Sequence, residues 1–186
     1  YLMLSQGDSV GLLVFDSEIR SYVPARNRSD QWGSILDVLA NTQLTNEESA
    51  IAGVLSGLGD IVKKRGLVIL ISDLIDDPSA VLQNLALLQK NQQEVLVFHI
   101  LSQEEIDLPY YGTVEFHALE GESDPLRTVP RRFQKKYQAR VQEFLSSYRE
   151  GCLEYGIDYN LIQTNQPLEI VLREYLQRRL KTRYRQ

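Results

Sequence analysis

The chain has 186 residues, 43% hydrophobic and 24% charged, with a formal net charge of −5. This composition is typical of one soluble globular domain, and no apolar run reaches the roughly 18 residues that cross a membrane. The single cysteine, Cys152, excludes an internal disulfide and fits a reducing, cytoplasmic environment. Its helical neighbours indicate a packed small side chain rather than a nucleophile.

The first segment, YLMLSQGDSV, reads as the end of a helix that Gly7 caps, followed by a strand. Because a domain does not normally begin with the last turn of a helix, we expect a further segment before Tyr1 in the full protein. Val10 to Phe15 is predicted as a buried strand. Ile19 to Val23 is predicted as a short return strand that ends at Pro24.

From Ser29 onward, helical and strand patterns alternate. Ser29 is expected to cap a helix with an apolar face at Trp32, Ile35, Leu36 and Leu39. Further helices are predicted at Glu47–Lys64, Pro78–Lys90, Pro130–Tyr155 and from Pro167 to about Lys181. Further strands are predicted at Leu67–Ser72, Glu94–Ile100, Gly112–His117 and Ile157–Gln163, with loops at Glu104–Pro109 and Glu120–Pro125. This alternation predicts one α/β domain over residues 1–186, with a three-layer, mostly parallel sheet flanked by helices.

The stretch RGLVILISDLIDDP is the most informative part of the sequence. Five consecutive apolar residues, Leu67 to Ile71, are typical of a strand that is buried on both faces. The strand ends at Ser72 and Asp73, where open α/β sheets bind their ligands. Asp73 is therefore a candidate ligand-binding residue. The alternative is a structural role, because acids here also favour the N-terminus of the helix that Asp77 caps.

The common enzyme motifs on an α/β sheet are absent. The sequence has no GxxxxGK[ST] loop and no GxGxxG after a strand, and its one GxSxG match, Gly7 to Gly11, leads into a predicted strand and so does not form a strand-to-helix elbow. A site for a hard cation remains, since Mg²⁺ prefers carboxylate, hydroxyl and water oxygens. Asp73 offers the carboxylate, and Thr42, Thr45 and Ser49 offer hydroxyls in the loop before the second long helix.

The charge is distributed unevenly along the chain. Residues 1–125 hold 7 Lys/Arg and 19 Asp/Glu, whereas residues 126–186 hold 13 and 6. A basic C-terminal part of this kind can bind nucleic acid or can simply be a solvated helix face. The cations interleave with aromatic and apolar residues at helical spacing, and this pattern favours the solvated face.

The segments QGDSVGLLVFDSEI, RGLVILISDLIDDP and GIDYNLIQTNQPLEIVLREYL resemble successive landmarks of the bacterial domain-of-unknown-function 58 family. The resemblance runs through essentially the whole chain and implies a von Willebrand factor type A-like domain. In such a domain the first strand lies between those matching Val10–Phe15 and Leu67–Ser72 here, and it is missing from this sequence. The resemblance therefore implies an N-terminally truncated domain, in which these two strands close up or leave an unpaired gap.

Type A domains carry a metal-ion-dependent adhesion site with three sequence elements. The resemblance places the third element, an aspartate, at Asp73. It places the second, normally a threonine, at Ser49, which departs from the pattern but keeps a hydroxyl. The first element, Asp-x-Ser-x-Ser, has no match in this chain. The implied metal ligands are therefore Asp73 and Ser49, with Mg²⁺ possible in the full-length protein and not expected to bind tightly to these residues alone.

The resemblance also implies a function, because family members are commonly encoded with MoxR-type AAA ATPases. It implies a non-enzymatic adaptor or chaperone-like module that binds such an ATPase in the cytoplasm. Two alternatives are a metal-assisted hydrolase that uses Asp73 and Asp76, with Asp16 as a further acid, and a nucleic-acid binder that uses the basic C-terminal helices. The overall acidity argues against nucleic acid as a partner.

Overall fold

The computed structural model describes residues 1–43, 50–118 and 124–183. The described helices are α1 (Leu2–Ser5), α2 (Gln31–Asn41), α3 (Ile51–Ile61), α4 (Pro78–Lys90), α5 (Gln103–Asp107), α6 (Gln134–Glu154) and α7 (Leu168–Arg183). The described strands are β1 (Val10–Phe15), β2 (Ile19–Arg26), β3 (Leu67–Ser72), β4 (Glu94–Leu101), β5 (Val114–Phe116), β6 (Leu126–Thr128) and β7 (Asp158–Gln163). A short 3₁₀ helix, Pro130–Arg132, precedes α6.

A parallel sheet of three strands in the order β3-β4-β7 forms the centre of the fold. β1 pairs with β2, and β5 pairs with β6, as two separate antiparallel hairpins. Helices α3, α4 and α6 cover one face of the parallel sheet, whereas α7 contributes Val171 and Tyr175 to a smaller cluster with β4 and β7. The predicted α/β class, with a parallel sheet flanked by helices, is confirmed.

The segment from β3 to α4 folds as its local sequence dictates. The Asp77 carboxylate accepts hydrogen bonds from the main-chain N–H groups of Ser79 and Ala80, and Pro78 occupies the first helical position. Both features are preferred at helix N-termini. They fix where α4 begins, so the residues between β3 and α4 form a short loop at the carboxyl end of the sheet.

β3 lies at one edge of its sheet, although the sequence pattern predicted a strand buried on both faces. Its inner face, Val68 and Leu70, packs against the main core, whereas Leu67, Ile69 and Ile71 are exposed. Peptide groups alternate in direction along a strand, and Gly66 O accepts from Glu94 N on the β4 side. The peptide groups of the three exposed residues therefore point to the open edge. β1 and β3 are not paired with each other. An unpaired gap between these two strands is one of the two arrangements that the family resemblance implies.

Several other elements differ from the sequence prediction. α2 is capped at Asp30 without a side-chain hydrogen bond, and its expected apolar face is largely exposed. β2 continues through Pro24 to Arg26, because proline is tolerated in a strand at the edge of a sheet. Most of the predicted loop at Glu104–Pro109 is helical, because it belongs to α5. This helix begins with a capping box formed by Ser102 and Glu105. The short strand β6 was not predicted.

Candidate functional site at the carboxyl end of β3

Asp73 directly follows β3 and lies at the carboxyl end of the parallel sheet. One of its oxygens, Oδ1, accepts a hydrogen bond from Ile75 N (3.3 Å) and another from the Ser72 hydroxyl (3.3 Å). The Ser72 hydroxyl in turn accepts from Leu74 N (3.0 Å). These bonds hold the half-buried Asp73 carboxylate in place. In the described part of the chain, Oδ2 of Asp73 receives no hydrogen bond and remains available to a ligand.

The backbone next to Asp73 is strained. Leu74 has a φ of 57°, in the left-handed region that a branched side chain rarely adopts. Its side chain is fully buried in the core, and its carbonyl accepts a hydrogen bond from the Tyr148 hydroxyl on α6 (3.0 Å). Strain of this kind persists only where packing enforces it, and it is frequent at ligand-binding sites. Tyr148 therefore positions the loop that carries Asp73.

We expect Tyr148→Phe to lower the free energy of unfolding by about 0.5–1.5 kcal/mol, because the buried Leu74 carbonyl loses one of its two hydrogen bonds and keeps the one from Asp76 N (2.8 Å). Tyr155→Phe is a matched control, since the Tyr155 ring is partly exposed and its hydroxyl makes no hydrogen bond among the described residues. Urea unfolding monitored by circular dichroism would compare the two. Equal stability of both variants would show that the Tyr148 hydroxyl does not support the loop.

The two further acids of the hydrolase alternative, Asp76 and Asp16, are both engaged by other groups of the protein. Asp76 Oδ2 accepts from Ala52 N at the start of α3 (3.0 Å), and its Oδ1 accepts from Asp77 N (2.6 Å). Asp16, which follows β1, is paired with Arg20 at 2.7 Å. Its carbonyl accepts from Ala50 N (3.2 Å), so both strand ends contact the first residues of α3. These acids organise the edge, and their engagement gives the hydrolase alternative no support.

His99, on β4, lies beneath this edge and was not singled out by sequence reasoning. The side chain is fully buried against the rings of Phe144, Tyr148 and Tyr159. Its Nδ1 and the Tyr159 hydroxyl are 2.8 Å apart, whereas Nε2 has no hydrogen-bond partner in the described structure. Burial lowers the pKa of His99, and the backbone and carboxylate of neighbouring Asp73 oppose this shift. A polar residue inside the apolar run EVLVFHI was the signal in the sequence.

The protein is expected to lose stability as the pH falls below about 6.5. The unfolded chain then protonates His99, whose usual pKa is 6.5, whereas burial keeps the folded imidazole neutral to a lower pH. Because the native state binds fewer protons, its free energy of unfolding decreases until the pH reaches the folded-state pKa. His99→Gln should reduce this decrease between pH 7 and pH 5 in urea titrations, and His117→Gln, at an exposed position, is the control. Identical pH dependence in both variants would contradict the assignment.

The structure describes only one of the two predicted metal ligands. Asp73 lies where expected, but Ser49 and Thr45 lie outside the described residues. In the described parts of the chain, no three His, Cys, Asp or Glu side chains converge as a metal-binding group. Thr42 is described, and its hydroxyl donates to Val38 O (2.7 Å) at the end of α2. The chemistry of Asp73 fits one oxygen ligand of a hard cation, and the remaining positions of an octahedral shell need other donors.

The thiol of Cys152 is not part of a reactive site. It is fully buried on α6, and burial raises its pKa to about 12. The thiol therefore stays protonated near neutral pH, and a protonated thiol is a poor nucleophile. This agrees with the packed role predicted from the sequence.

Within the described residues, no helix is both long and apolar enough to cross a membrane.

The fold resembles that of one solved structure, described as a conserved hypothetical protein BatB from Bacteroides thetaiotaomicron. The match covers 93% of this chain and 80% of that chain, with 13% sequence identity and a TM-score of 0.53. At this identity the likeness supports the fold alone. No curated protein matches this chain. The profile of the family described as protein of unknown function DUF58 matches residues 1–145, well over half of the sequence. The chain belongs to the DUF58 family.

Proposed function

We propose that this protein is a non-enzymatic adaptor or chaperone-like module that binds a MoxR-type AAA ATPase through the carboxyl end of β3. In this proposal the domain is von Willebrand factor type A-like, and Asp73 and Ser49 belong to a metal-ion-dependent adhesion-like site. A bound Mg²⁺ would supply a bridge to a carboxylate of the partner. The membership of the DUF58 family and the parallel-sheet fold support this proposal.

The observation that carries the proposal is the surface around Asp73. The side chains of Ile71 and Ile75, two residues before and after Asp73, are 64% and 61% exposed. A carboxylate whose near neighbours in sequence include exposed apolar residues is suited to a protein partner, because apolar contacts supply binding energy and the charge supplies orientation. In the described structure the Asp73 carboxylate is hydrogen-bonded to Ser72 and to Ile75 N, and not to another acid or base. A binding role accounts for this surface better than hydrolysis does.

Binding of a MoxR-type AAA ATPase from the same organism, measured by surface plasmon resonance in the presence of Mg²⁺, tests the proposal. Asp73→Ala should weaken binding at least tenfold. The matched control is Asp60→Ala, which removes an exposed carboxylate at the far end of α3 and should change the affinity less than twofold. Binding that is unaffected by Asp73→Ala, or no binding of the ATPase at all, would contradict the proposed function.

We expect residues 1–186 alone to bind Mg²⁺ weakly or not at all. Asp73 provides one available carboxylate oxygen, whereas Mg²⁺ needs six oxygen ligands in near-octahedral geometry. Isothermal titration calorimetry with MgCl₂ would measure this, with Asp73→Asn as the comparison. Tight binding by the unmodified chain would show that other residues complete the shell and that the assignment of the ligands is wrong.

A further inference from the structure

A second surface, distant in sequence from Asp73, carries a dense group of cations. Five basic residues lie within ten positions at the 3₁₀ helix and the first turns of α6, and all five are exposed: Arg131, Arg132, Lys135, Lys136 and Arg140. We call this group the basic face. The apolar and polar residues between them, such as Phe133 and Gln134, are half-buried, so the cations share the solvent side of the helix.

Within residues 1–43, 50–118 and 124–183, the basic face has little compensation from acidic side chains. In the described structure Arg140 pairs with Glu143 at 3.2 Å, but both side chains are largely exposed, so the pair contributes little. Arg131 lies 5.9 Å from the centre of the Tyr111 ring. No ion pair involves Arg132, Lys135 or Lys136 in the described residues.

The position of the basic face on its helix is also unfavourable for stability. The first turn of α6 contains no acid, and its N-cap makes no side-chain hydrogen bond. Cations at this end oppose the helix dipole, which favours negative charge there. The cations also repel one another. Local stability therefore does not explain the basic face, whereas binding of an external anionic group would offset both effects.

We propose that the basic face binds an acidic segment of a partner protein. The face extends over nine residues from Arg131, about 14 Å at the helical rise, which four or five residues of an extended peptide would span. Tyr111, 78% exposed beside Arg131, adds an aromatic contact of the kind that is enriched in protein interfaces. Residues 1–125 carry 19 acids against 7 basic residues, so a long polyanion such as nucleic acid would be repelled. This inference does not depend on the site at Asp73.

Fluorescence anisotropy with a labelled hexaglutamate peptide tests the proposal, with a hexaserine peptide and a 12-nucleotide oligothymidylate as competing probes. Hexaglutamate should bind at 50 mM NaCl and weaken at 200 mM, since exposed charges are screened. Lys135→Glu/Lys136→Glu should weaken binding at least tenfold. Lys63→Glu/Lys64→Glu is the matched control, because it makes the same change in net charge at two exposed lysines before β3 and should alter binding less than twofold.

The variants are expected to remain folded, since the substitutions at α6 place acids where the helix dipole favours them; circular dichroism would verify this. Equal loss of binding in both double variants would overturn the proposal, because net charge alone would then explain it. Tighter binding of the oligothymidylate than of hexaglutamate would identify a nucleic-acid surface instead. Self-association that only Lys135→Glu/Lys136→Glu abolishes, measured by sedimentation equilibrium, would identify a second copy of this chain as the acidic partner and would also overturn it.

Discussion

Leu85→Ala is expected to lower the free energy of unfolding by about 2–5 kcal/mol, the cost of removing a buried leucine and leaving a cavity. Leu85 lies on α4 and is fully buried in the main core, together with Leu70 of β3 and Tyr148 of α6. The same cluster includes Leu74, so the core that Leu85 fills also fixes the loop that carries Asp73. Urea unfolding should show a lower midpoint with an unchanged slope.

Leu87→Ala is the matched control for this prediction. Leu87 lies on the same helix, two positions further along, and its side chain is 54% exposed. The substitution keeps the chemistry and the helix but removes little buried surface, so we expect a loss below about 1 kcal/mol. If the two variants lost similar stability, α4 would not pack against the sheet through the face that contains Leu85.

The elements of the parallel sheet could be predicted from sequence because each is encoded locally. The apolar run Leu67–Ile71 ends at the polar pair Ser72-Asp73, and β3 ends there in the structure. Asp77-Pro78 combines two signals for a helix start, and α4 begins at Pro78. The position of Asp73 at the sheet edge followed from these two boundaries.

The burial of β3 could not be predicted, because it depends on elements far away in the sequence. A run of apolar residues in a strand does not show whether another strand pairs with each of its edges, or whether helices cover both of its faces. α7 packs against Leu96 and Phe98 of β4, on the same side of the sheet as Ile69 and Ile71, and leaves the latter two exposed. Leu96 pairs in register with Ile69, so the two side chains lie side by side on one face of the sheet. Leu96 is buried there, whereas Ile69 is exposed.

The contacts that shape the candidate site join residues distant in sequence, which a single sequence does not reveal. Tyr148 reaches the Leu74 carbonyl across 74 positions, and Tyr159 reaches His99 across 60. Asp76 was noted as an acid near a strand end, but its bond to Ala52 requires α3 and β3 to lie side by side. The capping box that starts α5 was readable locally, since Ser102 and Glu105 have the required spacing.

Asp76→Ala is expected to lower the free energy of unfolding by about 1.5–3 kcal/mol. The first N–H groups of α3 have no partner within the helix, and its N-cap, Ala50, has no side chain that can accept a hydrogen bond. The Asp76 carboxylate fills this role from another element, through Ala52 N at 3.0 Å. Hydrogen bonds to a charged acceptor are worth more than neutral ones, and the substitution leaves the partly buried Ala52 N–H without an acceptor.

Hydrogen exchange distinguishes the role of Asp76 at the start of α3 from the role of Asp77 at the start of α4. In Asp76→Ala, the Ala52 amide should exchange faster while the amides of Ser79 and Ala80 stay protected. Asp77→Ala should show the reverse, with a smaller loss of about 1 kcal/mol, because its carboxylate caps α4. Asp76→Asn should recover part of the Ala52 protection, since an amide oxygen still accepts. Unchanged exchange at Ala52 in Asp76→Ala would mean that Asp76 does not hold the start of α3, whereas the hydrogen bond from Ala50 N to the Asp16 carbonyl would still join that start to the end of β1.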